Sequence, residues 1–132
     1  MGNRKIQLRQ VADAYFQALH DANFSLIPYD PQALLRAPLT PGGVQVPLAG
    51  IAEIHAQWWV PLAPALQGVD IRVEDYFYNE KADSIIAKAE IHLPAVGIRL
   101  RVADAFRVSP DGNILEQENH FDASPLRPAA NN

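Results

Sequence analysis

Between residues 98 and 122 the chain reads IRLRVADAFRVS, then PDGN, then ILEQENHFD. An apolar residue at every second position is the period of a strand with one buried face. Pro110-Asp111-Gly112-Asn113 is a strong signal for the turn that folds such a strand back on itself. Two long strands joined this tightly cannot bury a face alone. The C-terminal half of the chain is therefore committed to a sheet, and the rest must cover it.

The preceding segments supply both. Val69 to Tyr78 and Ser84 to Leu93 alternate in the same way, separated by the polar turn Asn79 to Asp83, and Pro94 to Gly97 is a further turn. Upstream the period is helical. From Arg4 to Asn23, Leu8, Val11, Ala12, Tyr15, Phe16, Ala18 and Leu19 form one apolar stripe. A second helix is expected over Ile51 to Leu62, with Ile51, Ile54, His55, Trp58 and Trp59 on one side. In between, Pro28 and Pro31 break a short piece, Ala33 to Ala37 is strand-length, and Val44 to Pro47 reads as a short strand or hairpin return. Helices first and a meander of antiparallel strands after them place the chain in the α+β class. Its 132 residues make one domain over 1–124, and the composition of 125–132 is that of a tail.

Composition removes several function classes. There is no cysteine, hence no disulfide scaffold, thiol nucleophile or zinc knuckle. A net charge of −4 offers no footprint for nucleic acid or an anionic membrane. No apolar run approaches the ~20 residues of a membrane span, and the polar N-terminus MGNRKIQLRQ is unlike a signal peptide. A cytoplasmic address is expected. His20, His55, His92 and His120 show no metal-ligand spacing, and no nucleophile elbow or phosphate loop occurs. No metal or cofactor is expected.

The strand from Ile98 to Ser109 holds one anomaly. Its apolar face carries Ile98, Leu100, Val102, Asp104, Phe106 and Val108, so Asp104 is the only charged residue turned inward. A buried carboxylate must be paired, hydrogen-bonded or protonated. Asp104 is thus the acid of an apolar pocket, or the partner of a buried Arg or a backbone amide, or is turned outward by a bulge that flips the parity. Tyr15 lies on the stripe of the first helix, and its hydroxyl needs a partner inside. At least one indole of Trp58-Trp59 faces inward. Lys88, Glu90 and His92 share one strand face, most simply a solvated one.

The order of elements, ending in DGNI-x-E-x-x-x-F, resembles the nuclear transport factor 2-like superfamily over roughly residues 8–122. That resemblance implies a cone: a curved antiparallel sheet wrapped around N-terminal helices with an internal apolar cavity. Within the superfamily, RLRVADAFRVSPDGNILEQENHF and AYFQALHDANFSLIPYD are similar to the last hairpin and first helix of ketosteroid isomerases, with SnoaL-like polyketide cyclases as relatives. Asp104 and Tyr15 then fall on the oxyanion-hole acid and tyrosine, and Tyr29 on a supporting tyrosine. Trp58 and Phe121 take aromatic pocket positions. Two departures stand out. Ala37 occupies the place of the general-base carboxylate, and the aspartate and Arg-x-Asp of epoxide hydrolases become Asn119 and Lys88-x-Glu90.

The resemblance also assigns Ala87, Ala89, Ile91, Gln117, Asn119 and Phe121 inward and Glu116, Glu118, His120 and Asp122 outward, with the alanines expected to leave a roomy pocket. The substrate is expected to touch Tyr29, Ala37, Trp58, Ala89, Leu100, Val102, Phe106, Gln117, Asn119 and Phe121. It implies a protonated Asp104 that, with Tyr15, clamps the oxygen of an enolisable, steroid- or polyketide-like carbonyl compound, as in isomerases and cyclases. His55, whose ordinary pKa suits neutral pH, is the expected proton carrier, ahead of Asp30 or a water oriented by Asn119. A ligand-binding domain without turnover, or a hydrolase or dehydratase on the same scaffold, are the alternatives. The expected partners are a small hydrophobic molecule and a second copy of the chain.

Overall fold

A computed structural model describes residues 2–126. It is a six-stranded sheet in the order β2-β1-β6-β5-β4-β3, with a long helix, α1 (Gly2–His20), laid across it. The strands are β1 (Tyr29–Arg36), β2 (Leu48–Ala49), β3 (Asp70–Tyr78), β4 (Ser84–Leu93), β5 (Ile98–Val108) and β6 (Ile114–Phe121). The second helical segment joins α2 (Ile51–Ile54), a π-helical turn (His55–Trp59) and α3 (Val60–Leu62), and ends in a 3-10 turn (Ala63–Leu66). The curved sheet and its helices confirm the α+β class.

The buried face of α1 consists of the seven residues of its apolar stripe. They lie over β3 and β4, where Ala87 and Ala89 are fully buried. Small side chains there bring helix and sheet close together instead of opening a roomy pocket. Arg4 pins the start of α1 by donating to the carbonyls of Ala82, Val108 and Ser109 at 2.8–3.0 Å. The β5–β6 turn forms as expected: Gly112 has φ +86°, which only glycine adopts at little cost, and its amide donates to the Ser109 carbonyl at 3.0 Å.

Four expectations are corrected. The sheet is mixed, because β1 runs parallel to β6 with Leu35 opposite Gln117. β1 begins at Tyr29, eight residues long, since a register shift between Tyr29 and Leu34 accommodates Pro31 inside the strand. Gly43–Gln45 is a 3-10 turn, and the short strand lies at Leu48–Ala49 rather than over Val44 to Pro47. Finally, the start of the supposed tail is part of the fold: Ser124–Leu126 is a 3-10 turn whose Leu126 is partly buried against the core. Residues 127–132 of that tail lie outside the described residues.

Strand parity holds along β4 and β5 and from Glu116 onward in β6, where a register shift after Ile114 changes the side that faces inward. Lys88 points outward and Glu90 pairs with Arg72 at 3.2 Å, so this face is a charged outer surface. Glu74 and Arg101 pair beside it at 2.8 Å. No helix among the described residues is long and apolar enough to cross a membrane.

Candidate functional site

Where α1, the second helical segment and the concave face of the sheet meet, they enclose a cavity of about 50 Å³. Tyr15 and Leu19 reach it from α1, Trp58 and Trp59 from the π-helical turn, and Leu62 and Leu66 from the segment that follows. The sheet contributes Ile91 and Leu93, then Leu100, Val102 and Asp104, then Asn119 and Phe121, and Leu126 closes one side. The wall is apolar apart from Tyr15, Asp104, Asn119 and the indole nitrogens. Such a volume holds a few waters and is below the ~150 Å³ that admits a benzene-sized molecule.

Asp104 is 3 % exposed. Among the described residues its carboxyl has no hydrogen-bond partner and no cation beside it. Loss of hydration is what pushes its pKa up, from 3.8 to about 7. Its neighbours directly across the sheet are Ala87 on β4 and Asn119 on β6. Tyr15 is likewise fully enclosed, and burial first, then the nearby Asp104 charge, hold its phenol well above the ordinary value. At neutral pH Tyr15 is therefore a neutral hydroxyl, while Asp104 is poised between acid and carboxylate.

Behind these groups runs a buried hydrogen-bond chain. The Trp59 indole donates to the Tyr29 hydroxyl at 3.3 Å, and Tyr29 donates to the Oε1 of Gln117 at 2.5 Å. The Nε2 of Gln117 then donates to the Tyr15 hydroxyl at 3.1 Å and to the Oδ1 of Asn119 at 3.0 Å. The Tyr15 ring is packed by Phe16, Phe106 and Trp59, with centroids 4.9–5.9 Å away. Hydrogen bond and ring contacts together fix where its hydroxyl sits.

Of the residues expected at the site, Tyr15, Trp58, Leu100, Val102, Asp104, Asn119 and Phe121 line the cavity. Gln117 and Tyr29 stand behind it, joined through the hydrogen-bond chain. Phe106 is buried against the Tyr15 ring, and Ala37 and Ala89 are buried without reaching the cavity. His55 is placed otherwise than expected. It is exposed on the outer side of the second helix, in a groove with Phe24, Ser25 and Ile51. The inward line is Ile54, Trp58, Leu62 and Leu66, each four residues on, and His55 falls beside that line. Asp30 uses its carboxylate locally, accepting from the Gln32 amide at 2.9 Å. Trp59, Ile91, Leu19, Leu62, Leu66, Leu93 and Leu126 complete the wall. All but Leu126 follow the helical and strand periods, whereas nothing periodic marks Leu126. No three His, Asp or Glu side chains gather among the described residues as a metal site would need.

No family model and no curated protein matches the chain. Solved structures do. A SnoaL-like protein of unknown function from Burkholderia thailandensis superposes with a TM-score of 0.73 at 15% identity, over 89% of this chain and 96% of that one. A steroid delta-isomerase from Pseudomonas aeruginosa gives 0.64 at 17%, over 94% and 82%. A Mycobacterium tuberculosis protein solved with estradiol-17β-hemisuccinate gives 0.68 at 12%, over 88% and 94%. At such identities the likeness is one of fold, and with the topology above it is specific: this chain has the nuclear transport factor 2-like fold, the shape shared by SnoaL-like and steroid-isomerase proteins.

Proposed function

We propose that the protein acts on a small apolar molecule carrying a carbonyl or phenolic oxygen, held in this cavity with its oxygen between Tyr15 and Asp104. The observation that supports this reading is a buried carboxyl with no partner among the described residues, beside a buried tyrosine hydroxyl and facing an apolar cavity. Below about pH 7 Asp104 is a neutral acid and donates a hydrogen bond, as Tyr15 does throughout the neutral range. When the ligand's α-carbon loses a proton, charge develops on the oxygen. Donors already in place stabilise that charge without reorganising, and one such donor is worth ~3–4 kcal/mol of barrier. This is the chemistry of an isomerase or cyclase working through an enolate.

The proton needs its own carrier. Ala37 offers none, and His55 and Asp30 stand outside the cavity wall. The remaining route among the expected carriers is a water held by Asn119. The same lack of a side-chain base favours a second reading, a domain that binds its ligand without turnover. In either case a ligand larger than the cavity enters by displacing Leu62 and Leu126, which separate it from an apolar groove on the outside. We further propose that two copies pair through the outer sheet face, where Phe77 and Ile86 are exposed cross-strand neighbours.

Titration of 2-naphthol, followed by its fluorescence from pH 5 to 9, tests the clamp in wild-type and Asp104→Asn protein. The expected result is binding with a shifted naphthol ionisation that the variant loses. No binding, or identical behaviour of the two proteins, would overturn it.

A further inference from the structure

The direction of every hydrogen bond in the buried chain is set at its far end. An indole N–H can only donate. Tyr29 accepts it and passes its own hydrogen to the Oε1 of Gln117, which turns the amide nitrogen toward Tyr15 and Asn119. The opposite amide orientation would leave the Tyr29 hydrogen buried with no acceptor among the described residues. Tyr15 accepts from Gln117 and is approached by the Asn119 amide, whose Oδ1 accepts from Gln117, so the Tyr15 hydrogen and the second N–H of Asn119 remain for other partners. Both residues line the cavity. An independent observation has the same sense. The Trp58 indole N–H is buried with no hydrogen-bond partner among the described residues, and Trp58 is also in the cavity wall.

A carbonyl oxygen has two lone pairs. On the clamp reading, on which this inference rests, Tyr15 and Asp104 fill both. The second Asn119 N–H and the Trp58 indole are then donors in excess, and leaving such a group unpaired away from water is costly. We propose that Gln117, held by Tyr29, is the positioning residue that makes the cavity donor-lined, and that Asn119 is its third donor, so that the site selects a ligand with two acceptor oxygens of 1,3-dicarbonyl type over a monoketone of the same shape. Asn119 lies directly across the sheet from Asp104. The spacing of neighbouring strands, ~4.8 Å, matches the reach from one oxygen of such a ligand to the other.

The test compares 2,2-dimethylcyclohexane-1,3-dione with 2,2-dimethylcyclohexanone by calorimetry. Neither ligand ionises near neutrality, and they differ by one acceptor. Wild type is expected to prefer the dione by at least about fivefold, the scale of one well-made hydrogen bond. Asn119→Leu and Gln117→Leu are expected to bring the ratio to about one. A purely structural role for either residue would weaken both ligands alike and leave the ratio standing, which would overturn the proposal. Asn119→Ala repeats the measurement should the leucine variants not fold. Equal binding of the two ligands by wild type also refutes it. Failure of both to bind refutes instead the clamp beneath it.

Discussion

Replacing Asp104 by asparagine keeps the shape of the side chain and removes its titration. In the unfolded chain the carboxyl ionises near its ordinary value of 3.8, whereas in the fold burial raises it to about 7. Below pH 3.8 both states are protonated and the group leaves stability unchanged with pH. Between the two values the unfolded chain has lost a proton that the folded one keeps, so stability falls as pH rises, by ~1.4 kcal/mol per pH unit. Above about pH 7 both states are ionised and the loss levels off at on the order of 4 kcal/mol. Asn119, directly across the sheet, and the neutral Tyr15 hydroxyl carry no charge to offset the cost. Urea unfolding of wild type and Asp104→Asn, read by tryptophan fluorescence at fixed protein concentration from pH 4 to 8, isolates this group. Other titrations are common to both proteins and cancel in the difference. The variant's advantage is expected to grow with pH, separating the midpoints by more than about 1 M at pH 8. Midpoints that stay parallel across the range would mean that the carboxyl is hydrated or paired in solution, and the clamp would lose its physical basis.

Leu126→Ala removes a partly buried wall residue at a cost of about 1–2 kcal/mol and enlarges the cavity. Binding of 2-naphthol should tighten several-fold, and an unchanged dissociation constant would show that Leu126 does not limit entry. Tyr29→Phe strands the Trp59 indole and the Gln117 carbonyl oxygen, each a loss of about 1–3 kcal/mol. Urea unfolding should register it, and the dione-to-ketone ratio should fall with it. Phe77→Glu places a charge on the outer sheet face and should convert a dimer to monomer in sedimentation velocity without changing the fold. A wild type that already sediments as a monomer would refute the pairing.

The parts of the molecule legible in sequence are those with a period. β4 spans the residues expected of it, Ser84–Leu93, because five inward and five outward side chains alternate without interruption. The same parity singled out Asp104. What escaped depends on contacts between distant segments. The parallel pairing of β1 with β6 joins residues some 80 positions apart, and Pro31 disguised β1 by standing inside it at a register shift. The small cavity was not visible either. Two alanines suggested open space, but α1 fills it, and the final wall residue lies in a stretch with a tail's composition. His55 was misplaced because three-and-four spacing from Ile51 and Ile54 set it on the inner side, whereas the helix follows steps of four through that turn.

That turn is a one-residue excess. The amide of Val60 reaches back five residues to the His55 carbonyl, where an α-helix would reach back four. Removing one residue between 55 and 59 would restore the regular ladder and swing the rest of this helical segment, up to Leu66, by about 100° about the helix axis. Leu62 and Leu66 would leave the cavity, and others would take their places. The helix itself would lose nothing, its hydrogen bonds being if anything better formed. For a lineage that carries this scaffold, a single-codon deletion here is therefore a route to a differently shaped chamber in one step, with Asp104 and the sheet untouched.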